Sequence, residues 1–406
     1  MFLVERIIKT YGDVLQKILK LPYNVITAII KCMVSRAQTD FKHGVLTKIN
    51  LAELQYNELI VLDKLSESKS LNEGYILPTD WDQVTDDSVW VIKKDKVFYI
   101  LPPVLSAWGI YDSVNALLGW PSDMGYVFEK AVHDIFRQIN KEVYYGKYAL
   151  GEVHSLPLSG GNVNGRKIAQ TILYESDGLI LDSDYAIATE CKRKPLTRNA
   201  RGGKQEDIIK DLIDSYINGQ VQACRLERAI RTAQENTDGI LVFFTDENAD
   251  SKSIVQGKCE ASIINVNCTG VKTVLRLTCT PGNYWILSET GIIGKIEEYL
   301  KNTTVLNRSK YKYLKDYSNE LNALYEITEK IHSKGNKSMS MNLTRKIIGM
   351  NHLFISFDKL YDLSKKMKGS SIGKVLWSFT RIQTRNNTTM NSIEYLINCL
   401  NVNCNK

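Results

Sequence analysis

The chain has 406 residues, of which 44% are hydrophobic and 24% charged, with a net charge of +7. That apolar fraction sustains packed cores and excludes a globally disordered chain, and the length implies two or three domains. Eight cysteines with no Cys-x-x-Cys pair, and five dispersed histidines, exclude a zinc framework.

The start, MFLVERIIKTYGDVL, lacks the basic segment and apolar run of a signal peptide. The most apolar early stretch, Leu21 to Val34, is broken by Lys31 and is too short to span a bilayer. A reduced, cytoplasmic protein without a membrane segment is the expectation. Leu3, Ile7, Ile8, Tyr11, Val14, Leu15 and Ile18 recur at helical spacing, and a second helix is expected over Leu51 to Leu65. Ser88 to Pro102 reads as a hairpin of two apolar strands around Lys94-Asp95-Lys96. Residues 1–115 are thus read as an α+β module for recognition or oligomer contacts.

From Met124 the stripe Phe128, Val132, Ile135, Phe136 and Ile139 predicts an amphipathic helix, with Glu129 and His133 one turn apart on its edge. Val143 to Leu150 is a candidate first core strand, and Ser159 to Gly165, SGGNVNG, is a connection without the ending of a nucleotide-binding loop.

Thr171 to Lys194, TILYESDGLILDSDYAIATECKRK, is the stretch that carries chemistry. It reads as two strands joined by the turn formers Asp182, Ser183 and Asp184. A two-residue turn at Ser183-Asp184 pairs Asp182 with Tyr185, which sets Asp177 opposite Glu190 and Glu175 opposite Lys192. A turn at Asp182-Ser183 pairs Asp177 with Ala188 on the same face, and a three-residue turn splits the cluster across two faces. Opposed carboxylates repel unless a cation lies between them, and Mg²⁺ is held by one or two carboxylates plus water and phosphate. A lysine beside them suits orienting water or stabilising developing charge. The plain alternative is a surface salt-bridge patch.

Asp177, twelve further residues, then Glu190-Cys191-Lys192 resembles the signature of the PD-(D/E)xK nuclease superfamily, over about Gly125 to Thr245. Ser176 stands where the name has proline. The resemblance implies a restriction-endonuclease-like α/β core over 116–300, a mixed central sheet flanked by helices. It implies Mg²⁺ or Mn²⁺ held by Asp177 and Glu190, with Lys192 assisting the water. In such enzymes the preceding helix often adds an acid, for which Glu129 is the matching position, and a Gln on the following helix matches Gln220 in a Gln-x-x-x-Tyr pattern. Cys224 replaces that tyrosine, and the plain alternative is that Gln220 and Gln222 sit at the edge of the core. Glu175 is a further candidate ligand.

Arg193, Lys194, Arg198, Arg201 and Lys204 follow the motif, placed to grip a phosphate backbone or to form a solvated loop. Ile208 to Cys224 steps by three and four within a helix expected over Gln205 to Gln234, with Gln220 and Gln222 in its second half. Gly239 to Asp246 is a short apolar run suited to a strand buried on both faces. Strands are expected at Ser262 to Val266, Val271 to Thr280 and Tyr284 to Ser288. From 301 on the chain reads as helical, including Tyr317 to Ile331, Leu353 to Met367 and Ile372 to Ile382. This part holds 18 Lys+Arg against 7 Asp+Glu, whereas the first 300 residues hold 34 against 38. A basic region of that kind points to nucleic acid or a membrane surface, or to solvated helix faces. Lys310 to Lys315 interleaves lysines with tyrosines, a pattern that suits bases and phosphates as well as plain packing.

The expectation that results is a metal-dependent nuclease acting on nucleic acid, with DNA as the expected substrate and restriction or host defence as the role suggested by analogy. It would act alone, as a homo-oligomer or with a partner protein. The alternatives are a catalytically silent nucleic-acid-binding or assembly protein and a membrane-surface protein.

Overall fold

A computed structural model describes residues 1–67, 89–103, 109–150, 172–194, 196–201, 203–235, 239–244, 263–282, 284, 312–334, 351–367 and 371–381. The architecture is mixed α/β with two mixed sheets. The chain divides into two compact units, Met1–Ala131 with Pro195–Asp211, and Val132–Lys194 with Leu212–Lys406. The described residues after 301 supply a strand and three helices to the second unit.

The first unit begins with α1 (Phe2–Thr10), α2 (Gly12–Leu19) and α3 (Tyr23–Lys42), whose apolar stripes are buried. The Leu21 to Val34 stretch lies mostly in α3, and its Ile26, Ile30, Met33 and Val34 face the core. No single described helix is long and apolar enough to cross a membrane. β1 (Thr47–Asn50) precedes α4 (Tyr56–Leu65), which starts with a reciprocal cap between Gln55 and Glu58. β2 (Ser66–Glu67), β3 (Val91–Lys94) and β4 (Val97–Ile100) complete a sheet of order β1-β4-β3-β2. β3 and β4 form the expected hairpin, with Asp95 at φ 54° in its turn. α5 (Gly109–Leu117) follows, and α6 (Met124–Gln138) runs from this unit into the next.

The second unit is built on a seven-stranded sheet of order β11-β10-β7-β6-β5-β8-β9. Its strands are β5 (Tyr144–Leu150), β6 (Ile172–Asp182), β7 (Tyr185–Cys191), β8 (Ile240–Phe244), β9 (Ile263–Asn267), β10 (Thr273–Thr280) and β11 (His352–Ser356). β5, β6 and β7 form an antiparallel meander, and β10 and β11 add to β7 in parallel. The apolar run at 240–244 does form a strand, β8, placed beside β5 and not beside β7. Leu353 to Ser356, expected as helix, is strand: HLFIS is buried at every position and pairs with β10, which overrides helical spacing. The helix begins only at Phe357.

α7 (Gln205–Leu212) passes through a π-helical turn, Ile213–Ile217, into α8 (Asn218–Glu235). α8 packs across β5, β6, β7, β8 and β10. Small residues permit the close approach: Ala186 and Ala188 of the sheet meet Ala223, Leu226 and Ile230 of the helix in one buried cluster. Gly219 is tighter still. A Cβ there would lie 2.6 Å from Thr278 Oγ1 and 2.8 Å from its Cγ2. Gly219→Ala is therefore expected to destabilise the protein by about 1–3 kcal/mol, and an unchanged urea midpoint would overturn that packing argument. α9 (Lys312–Lys334) lies on α8, and α10 (Phe357–Lys366) and α11 (Ile372–Arg381) follow β11.

The turn of the β6–β7 hairpin is fixed by Asp182, whose carboxylate is 4% exposed. It accepts hydrogen bonds from Lys141 Nζ at 2.6 Å, Ser371 Oγ at 2.7 Å and the Gly373 N–H at 2.8 Å. Burial works against the charge there, but these three donors outweigh it and hold the carboxyl below the usual range.

Candidate active site

The hairpin has the two-residue turn and the register Asp182↔Tyr185 through Gly178↔Thr189, with Ser183 at φ 60°. The ladder stops one step before Asp177 and Glu190. There Asp177 Oδ2 accepts the Cys191 N–H at 2.6 Å, a side-chain bond in place of a backbone one. On the other side β6 carries one extra residue: β5 advances from Tyr144 to Gly146 while β6 goes from Leu179 to Ser176. This bulge breaks the alternation. Tyr174, before it, and Leu179, after it, both pack on the α8 side of the sheet.

The bulge has a direct consequence for Glu175. Strict alternation puts it on the face of Asp177, but the extra residue turns it away, and it is exposed opposite Lys147. Glu175→Ala is accordingly expected to leave any cleavage activity within about twofold of wild type, since exposed substitutions away from a site have small effects. A loss of a hundredfold would show that Glu175 reaches the metal.

Glu190 is fully buried. Its Oε2 lies 3.3 Å from Lys192 Nζ, and its Oε1 is buried with no hydrogen-bond partner among the described residues. Burial, and then the charge of Asp177, push its carboxyl well above the ordinary range despite Lys192. Lys192 is lowered by burial, but Glu190 and Asp177 outweigh this and raise it, so the ammonium persists at neutral pH. Its backbone N–H donates to the Cys279 carbonyl on β10 at 2.8 Å, which anchors the end of β7. Its Nζ donates to Gln222 Oε1.

Gln222, and not Gln220, meets the lysine. Gln220 Nε2 instead donates to Thr278 Oγ1 at 3.0 Å, and its Oε1 accepts from Arg276 Nε at 3.3 Å, inside a buried network under the sheet. Two residues on a helix lie about 200° apart, so only one of these glutamines can face Lys192. The π turn inserts an extra residue just upstream and resets the phase of α8.

His133 is buried, and its Nε2 lies 2.5 Å from the Asp177 carbonyl oxygen, at the bulge. Burial lowers its pKa, so the neutral ring donates Nε2–H to the carbonyl. Tyr148, on β5, is fully buried with its Oη unpartnered among the described residues. Burial, then Glu190, raise its pKa well above normal. Glu129 is half-buried on the part of α6 that belongs to the first unit.

Among the basic candidates, Lys194 Nζ is bonded to Asp214 at 2.7 Å, and Lys204 is 3.7 Å from Asp207. Arg193 is exposed. Arg198 and Arg201 lie in a single helical turn. The Ser159 to Gly165 loop lies outside the described residues, as do Lys310 and Tyr311. Lys312 to Lys315 open α9, with Leu314 buried and both lysines exposed.

Comparison with protein-family profiles, curated proteins and solved structures finds no match to this chain. The chemistry rests on the site alone. Among the described residues no group of three or more His, Cys, Asp or Glu side chains forms a ready metal cage. A two-carboxylate site is nevertheless a sufficient protein contribution for Mg²⁺, which keeps several waters and takes substrate phosphate oxygens. The orphaned, buried Glu190 Oε1 beside a second carboxylate fits such a cation, because a buried acceptor without a donor is costly and a cation supplies the missing partner.

Proposed function

We propose that this chain is a metal-dependent nuclease that hydrolyses phosphodiester bonds in nucleic acid, with a core of the PD-(D/E)xK type. The observation that carries the reading is the convergence of Asp177, Glu190 and Lys192 at the open end of one hairpin, with Glu190 Oε1 buried and unpartnered. Asp177 and Glu190 would hold Mg²⁺ or Mn²⁺, which when bound supplies Lewis-acid stabilisation of charge developing on the phosphate. Lys192 stays protonated and is held between Glu190 and Gln222, so it orients water and offers a proton or positive charge to an oxygen of the reacting phosphodiester. Asp177 is aimed by the bulge, whose backbone His133 holds through its ring N–H.

The test uses the purified full chain on single- and double-stranded DNA and RNA, each with Mg²⁺, with Mn²⁺ and with EDTA, beside Lys192→Ala. Metal-dependent products that disappear in Lys192→Ala support the reading and name the substrate. Products that survive EDTA, or an equally active Lys192→Ala protein, overturn it.

A further inference from the structure

Arg225 lies on α8 one turn beyond Gln222, a spacing that puts both on one side of the helix. Its guanidinium is fixed twice. Nε donates to Glu320 Oε1 on α9 at 2.8 Å, and the group lies over the Tyr174 ring, 4.9 Å from its centroid. Its Nη1 and Nη2 donate no hydrogen bond among the described residues, and the side chain is 24% exposed. Glu320 does not neutralise the spot. Arg228 Nη1 also lies 3.0 Å from the same carboxylate, so two guanidiniums share one negative charge. Tyr174 is three residues before Asp177 on β6, and three strand residues span about 10 Å.

We propose that Arg225 is a phosphate clamp, gripping a backbone phosphate that neighbours the one held at Asp177, Glu190 and Lys192. The inference rests on the nuclease reading for its scissile site, but it concerns binding and stands or falls by itself. The chemistry is that of a fork of N–H donors, held rigid by stacking and by one charged bond, with its outer edge free for phosphate oxygens. Pre-ordering of that kind removes the rotamer cost a surface lysine would incur on binding.

The test is binding of a labelled oligonucleotide, single-stranded and duplex, to the full chain in EDTA, followed by anisotropy across a salt series. The Glu190→Gln protein serves as parent so that nothing is cut. Arg225→Met is expected to weaken binding about tenfold at low salt and to reduce the slope of log K against log salt by about 0.9 on duplex or about 0.7 on single strands. Arg225→Lys keeps the charge and is expected to keep the slope while losing affinity, through loss of the fork. A folded Arg225→Met protein with unchanged slope and affinity overturns the clamp. If Arg225→Met does not fold, a folded Arg225→Lys protein that binds as the parent does overturns it. A chain that binds through Arg225 but cuts nothing retires the nuclease reading and keeps the clamp. A chain that cuts with metal but binds independently of Arg225 does the reverse.

Discussion

Glu190→Gln is expected to reduce metal-dependent cleavage by roughly 10²–10³-fold or more, the rate equivalent of losing several kcal/mol of charge stabilisation. The same substitution is expected to leave the metal-free protein as stable as wild type or more so. The sign follows from the environment of the carboxyl. Glu190 is buried beside Asp177, and its folded-state pKa lies above its unfolded value. Its contribution to stability is therefore full below the unfolded pKa and is lost as pH rises through the folded one. Above its unfolded pKa the carboxyl therefore works against folding, and glutamine removes that titration while keeping the shape. Thermal melts in EDTA with and without the substitution check this, beside cleavage assays in Mg²⁺. A lower melting temperature together with retained cleavage would remove Glu190 from the site.

The second large effect lies beneath the sheet. Arg276 on β10 is fully buried, and its Nη1 lies 2.8 Å from Glu227 on α8, itself buried. Glu227→Ala would leave a guanidinium in the core without its carboxylate, which costs about 3–5 kcal/mol. Urea unfolding measures this, and a loss below about 1 kcal/mol would show that Gln220 and water suffice for Arg276. Replacing both partners, Arg276→Met with Glu227→Leu, is expected to recover most of the loss, because the desolvation cost of both ions goes with them.

The hairpin was legible because its signals are local. Asp182, Ser183 and Asp184 dictate the turn, and the turn dictates the register from Asp182 to Gly178. Glu175 leaves the face that alternation assigns it because alternation holds only in an unbroken strand, and nothing in TILYESDG marks the extra residue. Gln220, the better match to the family pattern, takes the core place that is the alternative reading for both glutamines, and nothing in the sequence marks the π turn that sets the phase in which Gln222 meets Lys192. Leu353 to Ser356 reads as helix because a short apolar run, here Leu353, Phe354 and Ile355, is compatible with either state, and only a distant partner, β10, decides. The ion pairs of Arg225 with Glu320 and of Arg276 with Glu227 were not legible for the same cause: only the tertiary fold brings the partners near.

The parallel pairing of β7 with β10 sets a timetable for the nascent chain. Asp177 and Glu190 leave the ribosome together, but the acceptor of the Lys192 peptide N–H, the Cys279 carbonyl, follows 87 residues later. At ordinary rates of elongation that gap is on the order of ten seconds. Throughout it the lysine lacks the neighbouring strand that fixes its position, so a growing polypeptide holds both acids well before it holds an ordered site.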